Sequence, residues 1–86
     1  MTLQGAVIIE QGVTFAIVVV KPSVTMYTTR LVQMRNMLTP LFPHMPIILM
    51  SQDAAGTPHY YGRKDIVDFL KTVRLDQIPW KNYRLY

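Results

Sequence analysis

The chain has 86 residues, of which half are hydrophobic and 16% are charged, and it contains no cysteine. This length suits one domain, the low charged share argues against disorder, and the lack of cysteine excludes a disulfide framework, a thiolate zinc site and a thiol nucleophile. Nine lysines and arginines against five acids give a formal charge of +4, which favours solubility and weak attraction to anions without indicating nucleic-acid binding by itself.

The start of the chain gives no sign of export. Residues Met1 to Gly5 lack the basic region that opens a signal peptide, and the longest apolar run, Phe15 to Val20, is too short to span a bilayer. We therefore predict a cytoplasmic protein with no membrane partner, folded as a single domain over residues 1–86.

Two β-branched runs open the predicted fold. Ala6 to Ile9 and Val13 to Val20 are separated by the polar link Glu10-Gln11-Gly12, in which glycine can adopt a positive φ, so the pattern predicts a hairpin. The second run does not alternate polar with apolar residues. Both of its faces should be covered, which predicts a central strand.

A helix is predicted next. Pro22, with Ser23 or Thr25, supplies the chemistry of a helix start, and the helix should end near Pro40. Its apolar residues recur at steps of three and four and form one face: Tyr27, Leu31, Met34, Leu38 and Leu41. No acid occurs between Lys21 and Gln52, so the basic excess is partly localised in this region.

The second half begins with a predicted hairpin. Residues Ile47 to Met50 are apolar at every position and predict a buried strand, and Gln52 to Gly56 predict a turn. Residues Thr57 to Tyr61 predict the antiparallel return strand. Because Pro58 cannot donate to a ladder of hydrogen bonds, that strand or its start should lie at an edge of the sheet.

The last predicted elements are a helix and a tail. Ile66, Phe69, Leu70 and Val73 have the spacing of a second amphipathic helix. The segment Asp76 to Tyr86 predicts a short terminal strand or a docked tail. The fold class that we predict is a small α/β sandwich of two or three layers with a mixed sheet, in the order ββαββα(β).

Part of this pattern resembles a known fold. The succession of Pro46-Ile47-Ile48-Leu49-Met50, a turn, Tyr60-Tyr61-Gly62 and the helix of Ile66, Phe69 and Leu70 resembles the carboxyl-terminal half of the thioredoxin-like fold. The resemblance covers residues 13–74 in element order and residues 46–70 in pattern, and it implies that Pro46 follows a cis peptide bond. The family's redox position holds Lys21-Pro22-Ser23-Val24, so thiol–disulfide exchange is excluded.

The same resemblance implies that both helices lie on one face of the sheet. The other face of the strand Val13 to Val20 would then need cover from the tail around Trp80 or from a second subunit. On this argument we predict a homodimer or another protein partner.

The first candidate site lies at the start of the first helix. Lys21, Ser23 and Thr25 combine a lysine with free backbone N–H groups, which could hold a phosphate or a carboxylate. Ordinary helix capping explains the same residues more simply. No glycine-rich loop is present, so the pattern predicts no nucleotide cofactor.

A second set of candidates offers a base, a phenol and a cation. Five residues could gather near the carboxyl side of the sheet as part of a ligand site: His44, His59, Tyr60, Tyr61 and Arg63. The two histidines of the chain lie fifteen positions apart with no carboxylate at ligand spacing, so no metal site is predicted. Asp53 should bond to local backbone in its turn, and Asp65 and Asp68 should be structural.

A basic and aromatic set suggests a third kind of site. Trp80, Lys81, Tyr83 and Arg84 in the tail, with Arg30 and Arg35 of the first helix, have the composition of a nucleic-acid surface. The alternative is that the tail packs Trp80, Tyr83 and Leu85 into the core, and the small size of the domain favours packing.

Three functions remain open at this stage. The favoured one is a non-enzymatic binding or interaction module that self-associates, because the sequence offers no nucleophile–base pair, metal set or cofactor loop. The second is a nucleic-acid-binding protein that uses the basic and aromatic tail. The third is a small enzyme with a site near Ser23, His44 and Tyr60.

Overall fold

The structure, a computed structural model, describes residues 2–84. In this part of the chain the strands are Thr2–Glu10 (β1), Val13–Val19 (β2), Ile47–Gln52 (β3), Pro58–Tyr61 (β4) and Lys81–Arg84 (β5). The helices are Pro22–Thr25 (α1), Thr28–Leu38 (α2) and Lys64–Leu70 (α3), with a 3₁₀ turn at Leu75–Gln77. The predicted residues Leu85 and Tyr86 of the tail lie outside the described residues.

The described strands form one mixed sheet in the order β4-β3-β2-β1-β5. Only the β2–β3 pair is parallel among the described pairings, because α1 and α2 carry the chain from the end of β2 back to the start of β3. The predicted central position of β2 and the predicted edge position of Pro58 are both confirmed.

The predicted first hairpin is confirmed and has a two-residue turn. Gln11 and Gly12 have φ values of 51° and 77°, the left-handed conformations that match the twist of paired strands. Strand β1 begins at Thr2, four residues before the predicted Ala6, because residues Thr2–Gly5 pair with β5. Gly5 also permits the close approach of β1 to β2, since a Cβ there would lie 2.7 Å from the carbonyl oxygen of Ile17 in β2.

One face of the sheet carries α1 and α2. Alternate residues of β2 and β3 point to this face, and Leu38 and Phe42 pack on them from α2 and the loop that follows it. The buried members of this cluster are Leu3, Ala16, Val18, Val20, Leu38, Phe42, Ile47 and Leu49. We call this side of the sheet the α2 face.

The other face, the α3 face, has a core of its own. Ile66 and Leu70 of α3 pack on Phe15, Ile17 and Ile48, and the chain after α3 adds further cover. The other buried members are Ala6, Met50 and Ile78, with Trp80 packed against them. The described chain is therefore a small mixed α/β domain with helices on both faces of a five-stranded sheet.

This arrangement corrects the prediction that both helices share one face. The residues Phe15 to Val18 of β2 are buried on both sides by the described chain itself. The homodimer prediction rested on a bare face of this strand, and that premise was wrong. The same argument had also allowed that the segment around Trp80 covers this face. The presence of a second subunit stays a prediction.

Two further predictions need correction. The single helix predicted from Pro22 to Pro40 is divided at Tyr27, whose φ of −126° and ψ of 129° are extended. The peptide bond before Pro46 is trans, since the described residues contain no cis peptide bond. Within residues 2–84, no helix combines the length and the apolar character that crossing a membrane requires.

Candidate functional site

At the predicted anion site at the start of the first helix, Thr25 makes hydrogen bonds within the protein. The Thr25 hydroxyl donates to the carbonyl oxygen of Pro22 at 3.1 Å and lies 2.9 Å from the hydroxyl of buried Ser51. Thr25 thus joins α1 to β3. Ser23 and Lys21 are exposed, and α1 has only four residues, so few free N–H groups converge there.

The residues Ser23, His44 and Tyr60 are not joined in a hydrogen-bonded site. Tyr60 points to the α3 face, whereas α1 with Ser23 packs on the α2 face. His44 is exposed, in the loop before β3, with a φ of 62°. The Tyr60 hydroxyl has no hydrogen-bond partner among the described residues, so neither Ser23 nor His44 can activate it in this arrangement.

The predicted basic and aromatic residues do not form one surface either. The Trp80 indole donates to the carbonyl oxygen of Leu75 at 3.0 Å and packs on the α3 face, while the Tyr83 ring packs edge-on against Phe42 on the α2 face. Lys81 and Arg84 are three positions apart in β5 and so point to opposite faces. The prediction that Trp80 and Tyr83 pack is confirmed.

The described residues instead form a cationic groove at the end of the sheet. It is an open depression of about 730 Å³ between α2 and α3, crossing the start of β3 and the end of β4. Its polar lining residues are Arg35, Tyr60, Tyr61, Arg63, Lys64, Asp68 and Lys71. Its apolar lining includes Leu31, Pro46, Ile47 and Val67. Four cations and one acid therefore line it.

Arg35 is the most unusual of these cations. It is partly buried, and its guanidinium donates from Nε to the carbonyl oxygen of Ile47 at 3.3 Å and from Nη2 to that of Tyr61 at 3.2 Å. No carboxylate of residues 2–84 lies within ion-pair distance of it. A partly desolvated cation without a counter-charge is costly, and several of its N–H donors remain free for an anion.

The other cations of the groove form exposed ion pairs. Arg63 makes two 2.8 Å hydrogen bonds to Asp65, which lower the pKa of that carboxyl. Lys64 lies 2.6 Å from Asp68 and Lys71 lies 3.9 Å from it, and the hydrogen bond from Lys64 lowers the pKa of Asp68. Exposed pairs of this kind are weak, so these side chains can turn to a bound anion.

Tyr60 brings a phenol to the groove. Its hydroxyl oxygen is buried and has no partner within residues 2–84, and burial raises the pKa of the phenol above its ordinary value of 10.0. The group is therefore neutral at neutral pH, and its hydroxyl is enclosed by the protein rather than open to a ligand in the groove.

Asp53 confirms one prediction and adds a contact that the sequence did not reveal. Its Oδ1 accepts from the backbone N–H groups of Ala55 and Thr57, as predicted for a turn residue. Its Oδ2 also lies 3.1 Å from Nε2 of His59, and this hydrogen bond is the main cause that lowers the pKa of Asp53. Both side chains are about half exposed, which suits a role in holding the hairpin.

Sequence reasoning placed Tyr60 and Arg63 together in one candidate ligand site but assigned Arg35 to a separate nucleic-acid surface, and it missed Lys64 and Lys71. The spacing of Lys64, Asp68 and Lys71 at i, i+4 and i+7 was the available signal, because it places all three on one flank of α3 and its C-cap. Among residues 2–84, no group of three or more potential metal ligands gathers.

The fold and the groove thus define a small mixed α/β domain with a cationic groove between α2 and α3, which lie on opposite faces of the sheet. Comparison with known proteins gives no family model that matches the chain, no similar curated protein and no similar solved structure.

Proposed function

We propose that this chain is a non-enzymatic binding module that takes an anionic ligand in the groove between α2 and α3. The observation that carries the proposal is the partly buried guanidinium of Arg35, which is held by two carbonyl oxygens and lacks a carboxylate partner among the described residues. A fixed cation with free donors is ready to bind an anion because little ordering is needed when the anion arrives.

The surrounding residues support the same function. Arg63, Lys64 and Lys71 add positive charge to the groove, and Asp68 is the only acid among its described lining residues. A cleft with an excess of one sign of charge concentrates oppositely charged ligands. Its volume of about 730 Å³ falls in the range of ordinary ligand sites.

The test is a titration of the full chain with sodium tripolyphosphate at constant ionic strength, followed by ¹⁵N–¹H NMR. We expect saturable shifts at residues 31–35 and 60–71, with no comparable shifts in β5. Lys71→Gln should weaken binding about two- to fivefold, the effect of one screened surface charge, whereas Lys81→Gln, outside the groove, should not. Equal losses from both variants would show that binding follows net charge alone.

Self-association is a separate proposal with its own support. The exposed large hydrophobic residues of the described chain all belong to β1, α2 or the α1–α2 junction on the α2 face: Val7, Ile9, Met26, Tyr27, Val32 and Met37. Ile9 is 71% exposed, which is high for an isoleucine in a strand. Sedimentation velocity should show a concentration-dependent dimer that Ile9→Thr weakens; a monomer at every concentration would refute this proposal.

A further inference from the structure

Strand β1 is paired along its outer side over only part of its length. Strand β5 pairs with residues Thr2 to Gly5, and no described strand pairs with residues Ala6 to Glu10 on that side. We call the outer side of Ala6 to Glu10 the open edge of β1. An unpaired edge presents backbone N–H and C=O groups that can bind another strand.

The backbone groups on the open edge belong to Val7 and Ile9. The N–H of Ala16 in β2 donates at 3.0 Å to the chain at the start of β3, so the next residue of β2, Phe15, points its backbone groups toward β1. Phe15 lies opposite Ile8, and these two residues therefore bond to each other. Directions alternate along a strand, so Val7 and Ile9 point their groups outward. No other backbone group of residues 2–84 bonds to them there.

From this pattern we infer that the open edge pairs with the open edge of a second copy, antiparallel and centred on Ile8, an inference that rests on the proposed self-association. In this register Val7 of one copy lies opposite Ile9 of the other, and the two-fold symmetry repeats the pair. Each pair exchanges two backbone hydrogen bonds. The two pairs together satisfy every outward backbone group of both open edges.

A shift of the register leaves some of these groups without partners. Pairing Val7 with Val7 places Ile9 opposite Gly5, whose outer side is already paired with β5. Pairing Ile9 with Ile9 places Val7 opposite Gln11, which belongs to the hairpin turn and has a φ of 51°. The register centred on Ile8 is therefore the one that satisfies both outward residues.

The side chains of the open edge fit the same partner. Val7 lies opposite Ala16 of the α2-face core, so Val7 and Ile9 both point to the α2 face. The pairing places the Val7 and Ile9 side chains of both copies side by side, which removes exposed apolar surface from water. Glu10 is the one charged residue of the segment, and this register keeps the two Glu10 residues about 14 Å apart along the strands. Like charges therefore do not meet.

The other free edges of the sheet carry residues that oppose pairing. Strand β4 begins with Pro58, and β5 contains Lys81 and Arg84. Proline and charged side chains commonly protect edge strands, and the open edge of β1 has neither proline nor a cation. The area that the pairing buries is small, so we expect a weak and reversible dimer.

The experiment measures amide hydrogen exchange of the full chain by NMR at low and at high protein concentration. We expect the Val7 and Ile9 amides to exchange at least about threefold more slowly at the high concentration. Asn82 is the control, because its amide points outward from β5 by the same alternation and should exchange at the same rate at both concentrations.

Two variants, compared by sedimentation velocity, separate the open edge from other apolar surface. Val7→Pro removes one outward N–H and keeps an apolar residue, and an outward position on an edge tolerates proline. This variant should weaken the dimer at least about tenfold. Met37→Gln, at an exposed residue of α2, should leave the dimer affinity unchanged.

The outcomes separate this inference from the proposed self-association. A monomer at every concentration overturns both. A dimer that leaves exchange at Val7 and Ile9 unchanged, or that Met37→Gln weakens as much as Val7→Pro, overturns the inference and leaves self-association standing. Undiminished affinity of Val7→Pro, with a circular dichroism spectrum like that of the wild type, also overturns it. If Val7→Pro does not fold, the exchange rates of the wild-type chain decide.

Discussion

Nη2 of Arg35 donates a 3.2 Å hydrogen bond to the carbonyl oxygen of Tyr61, which is the last residue of β4. The same guanidinium reaches the carbonyl oxygen of Ile47, the first residue of β3. One side chain of α2 therefore satisfies two backbone acceptors at the end of two neighbouring strands. These bonds fix the guanidinium in the groove and hold α2 against the sheet.

We predict that Arg35→Lys lowers the free energy of unfolding although it keeps the charge. An ammonium group cannot reproduce two hydrogen bonds made from different nitrogens of a planar guanidinium, so the loss should be about 1–2 kcal/mol in urea unfolding. The same variant should weaken tripolyphosphate binding. Unchanged stability would mean that the two hydrogen bonds contribute nothing in solution.

Tyr60→Phe should leave the protein equally stable or make it more stable, by up to about 1 kcal/mol, because it removes a buried hydroxyl without a described partner. Burial raises the pKa of Tyr60, so its neutral form contributes stability that is present below about pH 10 and lost as the pH rises through the raised pKa. The variant should therefore lose less stability in alkali. Tyr27→Phe, at an exposed tyrosine, is the control and should change neither property.

Gly5→Ala should destabilise the sheet by about 2 kcal/mol, the effect of forcing an extra methyl group into a packed position. The new Cβ would lie 2.7 Å from the carbonyl oxygen of Ile17, which is backbone and cannot turn away. Gln4→Ala, at the exposed neighbouring position of β1, should change stability by less than about 0.5 kcal/mol. Equal effects in urea unfolding would contradict the close approach of the two strands.

Asp53→Asn should reduce the sensitivity of the fold to acid. The hydrogen bond from His59 lowers the pKa of Asp53 below its ordinary value of 3.8, so the carboxylate stabilises the fold above that value and the contribution is lost as the pH falls through the lowered pKa. Stability measured from about pH 5 to about pH 2 should fall less steeply in the variant. His59→Gln should reproduce part of this change. If stability falls equally steeply with pH in the wild type and in Asp53→Asn, the hydrogen bond between Asp53 and His59 does not contribute to acid sensitivity.

Local patterns predicted most of the elements of this fold. The unbroken apolar character of Val13 to Val20 was enough to place β2 in the centre, and Pro58 was enough to place β4 at an edge. The division of the first helix at Tyr27 was not predictable from spacing, because Tyr27 fits the same periodicity as Leu31 and Leu38. The face on which each helix lies depends on tertiary packing and was predicted wrongly.

The groove was harder to predict than the fold because its residues are distant in the sequence. Arg35 and Lys71 are brought together only by the crossover between β2 and β3 and by the position of α3 on the other face. Ser23, His44 and Tyr60 have suitable chemistry but belong to segments that the fold separates. Residue type was enough to predict several members of the groove. Which of them lie together could be known only from the topology of the fold.

The pairing of β1 with β5 has a consequence for how the chain folds. Thr2 lies opposite Arg84, so this contact joins residues 82 positions apart, whereas the two hairpins join near neighbours. Closing so large a loop is slow, and one edge of β1 stays unpaired until β5 has left the ribosome. Removing residues 81–84 would leave that edge permanently open, and we expect such a truncated chain to aggregate during synthesis.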